Sequence, residues 1–119
     1  MTSDAWRRKI KGQCERAGTY RTEINSLIDA LAKILEQRDR AYAQFLEGGA
    51  ELLVLKISDR GAENNVRNPL LQIWQDLNTQ ALAYWRDLGL TPAGLKKIDE
   101  EAMKKKKESA LARALRELA

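Results

Sequence analysis

The 119-residue chain contains no histidine and only one cysteine, Cys14. Without histidine it lacks the usual general base and the commonest metal ligand. One thiol can form neither an internal disulfide nor a zinc site, so a reducing compartment is expected. The phosphate-binding pattern GxxxxGK[ST] is also missing, which excludes ATP hydrolysis by that route. We therefore expect a protein that binds and assembles, with no catalytic residue, no metal and no cofactor.

Long hydrophobic runs and aromatic residues are scarce as well. The apolar runs are far shorter than the roughly 20 residues needed to cross a membrane, and residues 1–4 lack the hydrophobic core of a signal peptide. These features predict a soluble cytoplasmic protein with no membrane contact. An aromatic content of 6% beside 32% charged residues is typical of a helical domain rather than of a β-sandwich.

The charge of +4 is unevenly distributed along the chain. Residues 1–21 carry a net +4, residues 22–95 a net −3 and residues 96–119 a net +3. Basic ends favour a polyanion such as nucleic acid, although solvated termini are often basic without binding anything. The candidate DNA-binding residues are Arg7, Arg8, Lys9, Lys11, Arg16 and Arg21 at one end and Lys104, Lys105, Lys106 and Lys107 at the other.

Apolar spacing and helix-terminating residues predict two long helices. The first starts near Thr22 and ends at Gly48-Gly49, with a wide apolar face. The second opens at Asn68-Pro69, a favoured cap followed by a proline suited to the first helical position, and closes at Gly89. Between them, residues 50–67 are expected to form a short extended arm around Glu51–Ile57, followed by an exposed loop.

Shorter helices are predicted at both ends of the chain. Trp6, Ile10 and Cys14 follow helical spacing behind the candidate cap Ser3, and Gly18 ends that basic helix. Thr91-Pro92 opens a helix through Ile98, and the remaining tail contains good helix formers. The predicted fold is all-α: an antiparallel helical hairpin with short terminal helices and an extended arm between the long ones. Residues 1–17 form the basic helix, 18–98 the oligomerisation core and 99–119 the charged C-terminal helix or tail.

The wide apolar faces of the long helices predict oligomerisation, because one partner helix would not cover them. Aromatic residues of the second long helix are suited to anchoring an interface, although packing inside the hairpin is the alternative. The candidate interface residues are Leu27, Ile34, Leu52, Val54, Trp74, Tyr84 and Trp85.

Three segments together resemble the small subunit of bacteriophage terminases. These segments are Gly18-Thr19-Tyr20, Asn68-Pro69-Leu70-Leu71 and Leu88-Gly89-Leu90-Thr91-Pro92. The resemblance covers roughly residues 18 to 98 and is to the branch of tailed phages that cut cohesive ends and also encode an HNH nuclease.

The resemblance implies a role in viral genome packaging. Such subunits assemble as rings, bind double-stranded viral DNA at the packaging site, and deliver it to the large subunit, which carries the ATPase and the nuclease. It implies a protein of the host cytoplasm with the large subunit and an HNH nuclease as partners. Leu111, Leu115 and Leu118 lie outside the region of resemblance and, by their helical spacing, are a candidate contact to the large subunit. Other branches carry an N-terminal helix-turn-helix domain, for which about 20 residues are too few here.

Two other functions remain open from the residues alone. A non-packaging DNA-binding regulator would use the corner at Leu88–Pro92, but Ala93–Lys97 has few base-reading side chains. A helical oligomeric adaptor would form a dimer or trimer with no salt-sensitive DNA affinity. A closed oligomer well above a tetramer would separate both from the ring.

Overall fold

The computed structural model describes residues 1–118, which form four α-helices and one small sheet. In chain order the elements are α1 (Ser3–Ala17), a 3-10 turn (Thr22–Ile24), α2 (Asn25–Glu47), β1 (Leu53–Ile57), β2 (Glu63–Arg67), α3 (Pro69–Asp87) and α4 (Pro92–Leu118). The prediction of a mostly helical chain is confirmed. The strictly all-α class is wrong, because β1 and β2 pair as an antiparallel sheet between the long helices.

The helix ends follow the local signals in the sequence. Asn68 caps α3 by accepting a hydrogen bond from the Leu70 N–H at 3.0 Å, with Pro69 in the first position. Gly89 lies just past the end of α3 with φ at +71°, a conformation that costs little only for glycine. The Thr91 hydroxyl accepts from the Gly94 N–H at 3.1 Å and caps α4. At α1 the cap is Thr2 and not Ser3.

The core is formed by one face each of α1, α2 and α3. Its buried residues are Trp6, Ile10 and Cys14 from α1, Ile28, Leu31, Ala32 and Leu35 from α2, and Ala81 and Leu88 at the end of α3. The wide apolar face of α2 is therefore covered from two sides within one chain. Burying apolar side chains in this way is the main favourable term of folding.

Two contacts fix how α2 lies against α3. The rings of Tyr42 and Trp74 approach with centroids 5.7 Å apart, and the Arg38 guanidinium donates to the Asn78 side chain at 3.3 Å. The later residue of α2, Tyr42, thus contacts the earlier residue of α3, Trp74, so the two helices run in opposite directions at this contact. Arg38 also lies 5.5 Å from the centre of the Trp6 ring, so this residue of α2 contacts both α1 and α3.

The segment between α2 and α3 is a β-hairpin. Leu55 lies opposite Asn65, and Val54 lies opposite Val66. The expectation of a single strand followed by a loop over 62–67 is therefore wrong. The physical reason is that β2 holds only one apolar residue, Val66, so its pairing depends on backbone hydrogen bonds that leave no alternating pattern in the sequence.

The C-terminal helix is continuous. We expected a short helix ending near Ile98 and then a charged helix or tail over 99–119; α4 runs unbroken from Pro92 to Leu118, and residue 119 lies outside the described part. Every residue from Asp99 to Leu118 is exposed, and this part of the helix is about 30 Å long at 1.5 Å per residue. The molecule measures 82 by 29 by 21 Å.

Candidate nucleic-acid and assembly surfaces

The basic residues of α1 differ in how far they are already paired. The Arg7 guanidinium donates to Asp4 at 2.7 Å and to Asp29 at 2.5 Å. The pKa of the Asp29 carboxyl is held below its usual range. The hydrogen bond from Lys33 is the largest cause, and the hydrogen bond from Arg7 is the next. Arg7 therefore helps to attach α1 to α2, and its charge is largely compensated within the chain.

The remaining N-terminal candidates, Arg8, Lys9, Lys11, Arg16 and Arg21, are all exposed. Two of them lie over aromatic rings: the Lys9 ammonium is 5.1 Å from the Trp6 ring centre and the Lys11 ammonium 5.1 Å from that of Tyr20. Exposed contacts of this kind are weak, about 0.5–1 kcal/mol. These cations thus remain accessible to an external anion.

Asp39 anchors the start of α1 on α2. Its carboxylate accepts from Trp6 Nε1 at 2.7 Å, from Arg38 at 3.1 Å and from the Met1 ammonium at 3.2 Å. Partial burial raises the pKa of the Asp39 carboxyl, but these three donors outweigh it and the pKa is lowered. Asp39 is therefore charged at neutral pH and positions the basic side of α1.

The C-terminal lysines Lys104 to Lys107 are exposed on α4 and do not share one side. Successive residues of a helix are rotated by about 100°, so four consecutive lysines are distributed around its whole circumference. The sequence run is therefore not a single basic patch on the folded chain.

The structure brings the two basic ends of the chain together. Arg21, from the turn before α2, and Lys105, from α4, line one groove of about 290 Å³. Asp87 and Glu101 line it as well, so this groove holds as many carboxylates as cations. It is charge-balanced, and an anion would meet excess positive charge only outside it.

The predicted interface residues occupy different environments. Leu27, Ile34, Tyr84 and Trp85 are half-buried against the core, and Trp74 contacts Tyr42. Val54 is half-buried opposite Val66, whereas Leu52 is 63% exposed. Most of these side chains thus already pack within the subunit, and only their exposed portions remain for a neighbour.

Other exposed apolar residues were not anticipated as interface residues. Leu53, Leu55 and Ile57 share one face of β1 and are each more than half exposed; Tyr42, Leu46 and Ile73 are also exposed at the same end of the molecule. The alternation of Leu53, Leu55 and Ile57 in the sequence indicates one apolar face of a strand. The prediction of a lone extended arm assigned no such face to these residues. This set of six residues is called the hairpin-end apolar surface below.

Within residues 1–118 no group of three or more Cys, Asp or Glu is placed to hold a metal ion. The Cys14 thiol is buried in the core, and burial raises its pKa. None of the helices in this part of the chain is both long and apolar enough to cross a membrane.

The amino-acid sequence was also compared with known proteins. A family model described as phage terminase, small subunit, matches residues 3–105. The matched region begins with α1 and ends within the lysine run. It is therefore wider than residues 18–98, the region in which the resemblance was found from the sequence. Comparison with curated proteins and with solved structures gave no match.

Proposed function

Because the chain belongs to the phage terminase small-subunit family, we propose that it is a non-catalytic packaging subunit. Copies of it form a ring, bind double-stranded viral DNA at the packaging site in the host cytoplasm, and deliver that DNA to the large subunit. The ring regulates the ATPase and nuclease of that subunit. The observation that carries this proposal is the family match over residues 3–105.

The hairpin-end apolar surface supports assembly. Single exposed apolar residues are normal, but several gathered at one end of a small protein indicate an interaction site. α1 packs on α2 between Asp29 and Asp39, as its hydrogen bonds to these residues and to Glu36 show, so it leaves Tyr42 and Leu46 exposed. In the proposed ring, residues 18–98 form the assembly core and the hairpin-end apolar surface contacts the neighbouring subunit.

Exposed cations on α1, on the turn before α2 and on α4 support DNA binding. The sites proposed from the sequence lie in residues 1–21 and 99–119, and the structure leaves all of them except Arg7 exposed. A ring repeats each cation once per subunit, which multiplies the field acting on the phosphate backbone. Because no recognition helix is evident from the sequence, we propose that DNA shape or bending contributes to site recognition.

The large subunit is the proposed partner of the tip of α4. Leu111, Leu115 and Leu118 are each more than half exposed and lie at i, i+4 and i+7, on one side of the helix. An HNH nuclease remains a further predicted partner from the resemblance.

The test combines native mass with DNA binding by the full chain. We expect light scattering to give a closed oligomer well above a tetramer, and DNA affinity to fall steeply with salt concentration. A dimer or trimer without DNA affinity would contradict the proposal and support an adaptor. A small oligomer that binds DNA would support a regulator, although the first turn of α4 packs on α3, which disfavours it as a recognition helix.

A further inference from the structure

The projecting part of α4 has two chemically different sides. By the 3.6-residue repeat, Lys105, Lys106, Arg113 and Arg116 fall within an arc of about 100°. Lys104 and Lys107 fall on the opposite side, together with the leucines 111, 115 and 118. The side formed by the first four residues is called the α4 basic side below.

The α4 basic side carries excess positive charge outside the charge-balanced groove that Lys105 also lines. Lys105, Lys106 and Arg113 line a shallow depression of about 310 Å³ with Ser109 and Ala110, and no carboxylate lines it. Among the described residues, the one ion pair of α4 joins Lys96 to Glu100, nearer its start. The acids closest to the basic side are Asp87 and Glu101, in the charge-balanced groove, and Asp99 and Glu117 at its margin.

The direction of the α4 basic side follows from how α4 leaves the body. Gly94 is buried, and Leu95 and Ile98 are half-buried, so these residues mark the side of the helix that packs on the body. The α4 basic side lies on this same side of the helix, farther toward the C-terminus. Its first residue, Lys105, lines a groove with Arg21 of the body. Its four cations extend over about 17 Å of helix axis, comparable to half a turn of duplex DNA.

We propose that the α4 basic side binds the sugar–phosphate backbone of double-stranded DNA, and that Lys104 and Lys107 lie outside this contact. The proposal rests on the DNA binding put forward above and assigns it to particular residues, two of them beyond the lysine run. Charge complementarity selects DNA as the occupant, because the depression that three of these cations line holds no carboxylate and matches a row of phosphates. The leucine side of α4 stays accessible to a protein partner.

The lysine run provides its own matched control. The variants K105A/K106A and K104A/K107A remove the same charge from the same turns of one exposed helix and differ only in the side affected. Binding of each full-length variant to a duplex of about 30 base pairs is measured by fluorescence anisotropy between roughly 50 and 200 mM salt. Circular dichroism checks that helix content is retained.

We expect K105A/K106A to weaken binding by at least roughly 10-fold near 100 mM salt and to lower the salt slope by about 2 for each subunit that contacts the duplex, since each lost phosphate contact lowers it by about 0.9. R113A/R116A should act in the same direction, whereas K104A/K107A should stay within about threefold of wild type. Equal losses in the two lysine variants would overturn the assignment to one side. Unchanged affinity in K105A/K106A, with DNA still bound, would overturn it too while leaving DNA binding intact. If the wild-type chain binds no duplex, both the proposed function and this site fail.

Discussion

At the scale of single residues, Asn68 connects the hairpin to α3. It is 8% exposed and is the one buried polar residue among those described. Its side chain accepts from the Leu70 N–H at 3.0 Å and donates to the Glu51 carbonyl at 2.9 Å, and its backbone N–H donates to the Leu52 carbonyl at 2.8 Å. Both chain segments at the base of the hairpin are thereby fixed to the start of α3.

Replacing Asn68 separates the helix cap from the contact to Glu51. N68S keeps an acceptor for the Leu70 N–H and loses the donor to Glu51, so we expect it to lower the free energy of unfolding by about 1 kcal/mol. N68A loses both contacts and should lower it by about 2 kcal/mol. Urea unfolding followed by circular dichroism measures both. If N68S is as unstable as N68A, the cap contributes nothing to stability.

At the scale of elements, Gly89 and Gly94 allow α3 and α4 to approach each other closely. A Cβ atom on Gly94 would lie 2.1 Å from the Arg86 carbonyl oxygen, so the first turn of α4 touches the backbone of α3. A Cβ atom on Gly89 would lie 2.7 Å from the Ile98 side chain. The direction in which α4 projects, and with it the position of its cations, depends on this close approach.

G94A should therefore separate α4 from α3. We expect it to lower the free energy of unfolding by 1–3 kcal/mol, as for overpacking in a core, and to speed proteolysis at the α3–α4 turn. G12A is the matched control, because a Cβ atom there meets only the flexible Arg16 side chain at 3.4 Å. That change should stabilise α1 by up to about 1 kcal/mol. An equally stabilising effect of G94A would contradict the close contact.

At the scale of the whole molecule, apolar and basic surfaces lie toward opposite ends. The radius of gyration is 22.0 Å, against about 13–14 Å for a compact domain of this length. The hairpin-end apolar surface lies at one end of the three-helix body, and α4 with its cations projects from the other. One subunit can thus contact a neighbouring copy and DNA without competition between the two surfaces.

Exposed hairpin residues should control assembly without affecting the fold of the subunit. Leu55 and Ile57 are 57% and 64% exposed, so L55T/I57T places a β-branched strand former at both positions and removes apolar contact area. We expect light scattering to show a lower mass for this variant and circular dichroism to show unchanged helix content. M103T, at a residue that is 59% exposed on α4, should leave the mass unchanged. A wild-type mass for L55T/I57T would contradict an interface at the hairpin.

The sequence by itself determined the features that depend on neighbouring residues. The caps Asn68 and Thr91 and the terminators Gly18 and Gly89 act within one helical turn, and the helix ends were predictable from them. The family could be recognised from segments around the same residues. The uneven charge is a property of composition and needs no fold.

Tertiary structure decided what depends on residues far apart in the chain. α1 covers one side of α2, so much of the apolar surface expected between subunits is buried within one chain. β2 has too few apolar residues to be recognised and exists because β1 is beside it. The continuous course of α4 and its packing on α3 decide which cations stand beside the body and which point away. Such contacts form between segments that no local pattern connects. The helical repeat alone places Lys105 and Lys106 away from Lys104 and Lys107, but the fold was needed to show which of these sides faces the body.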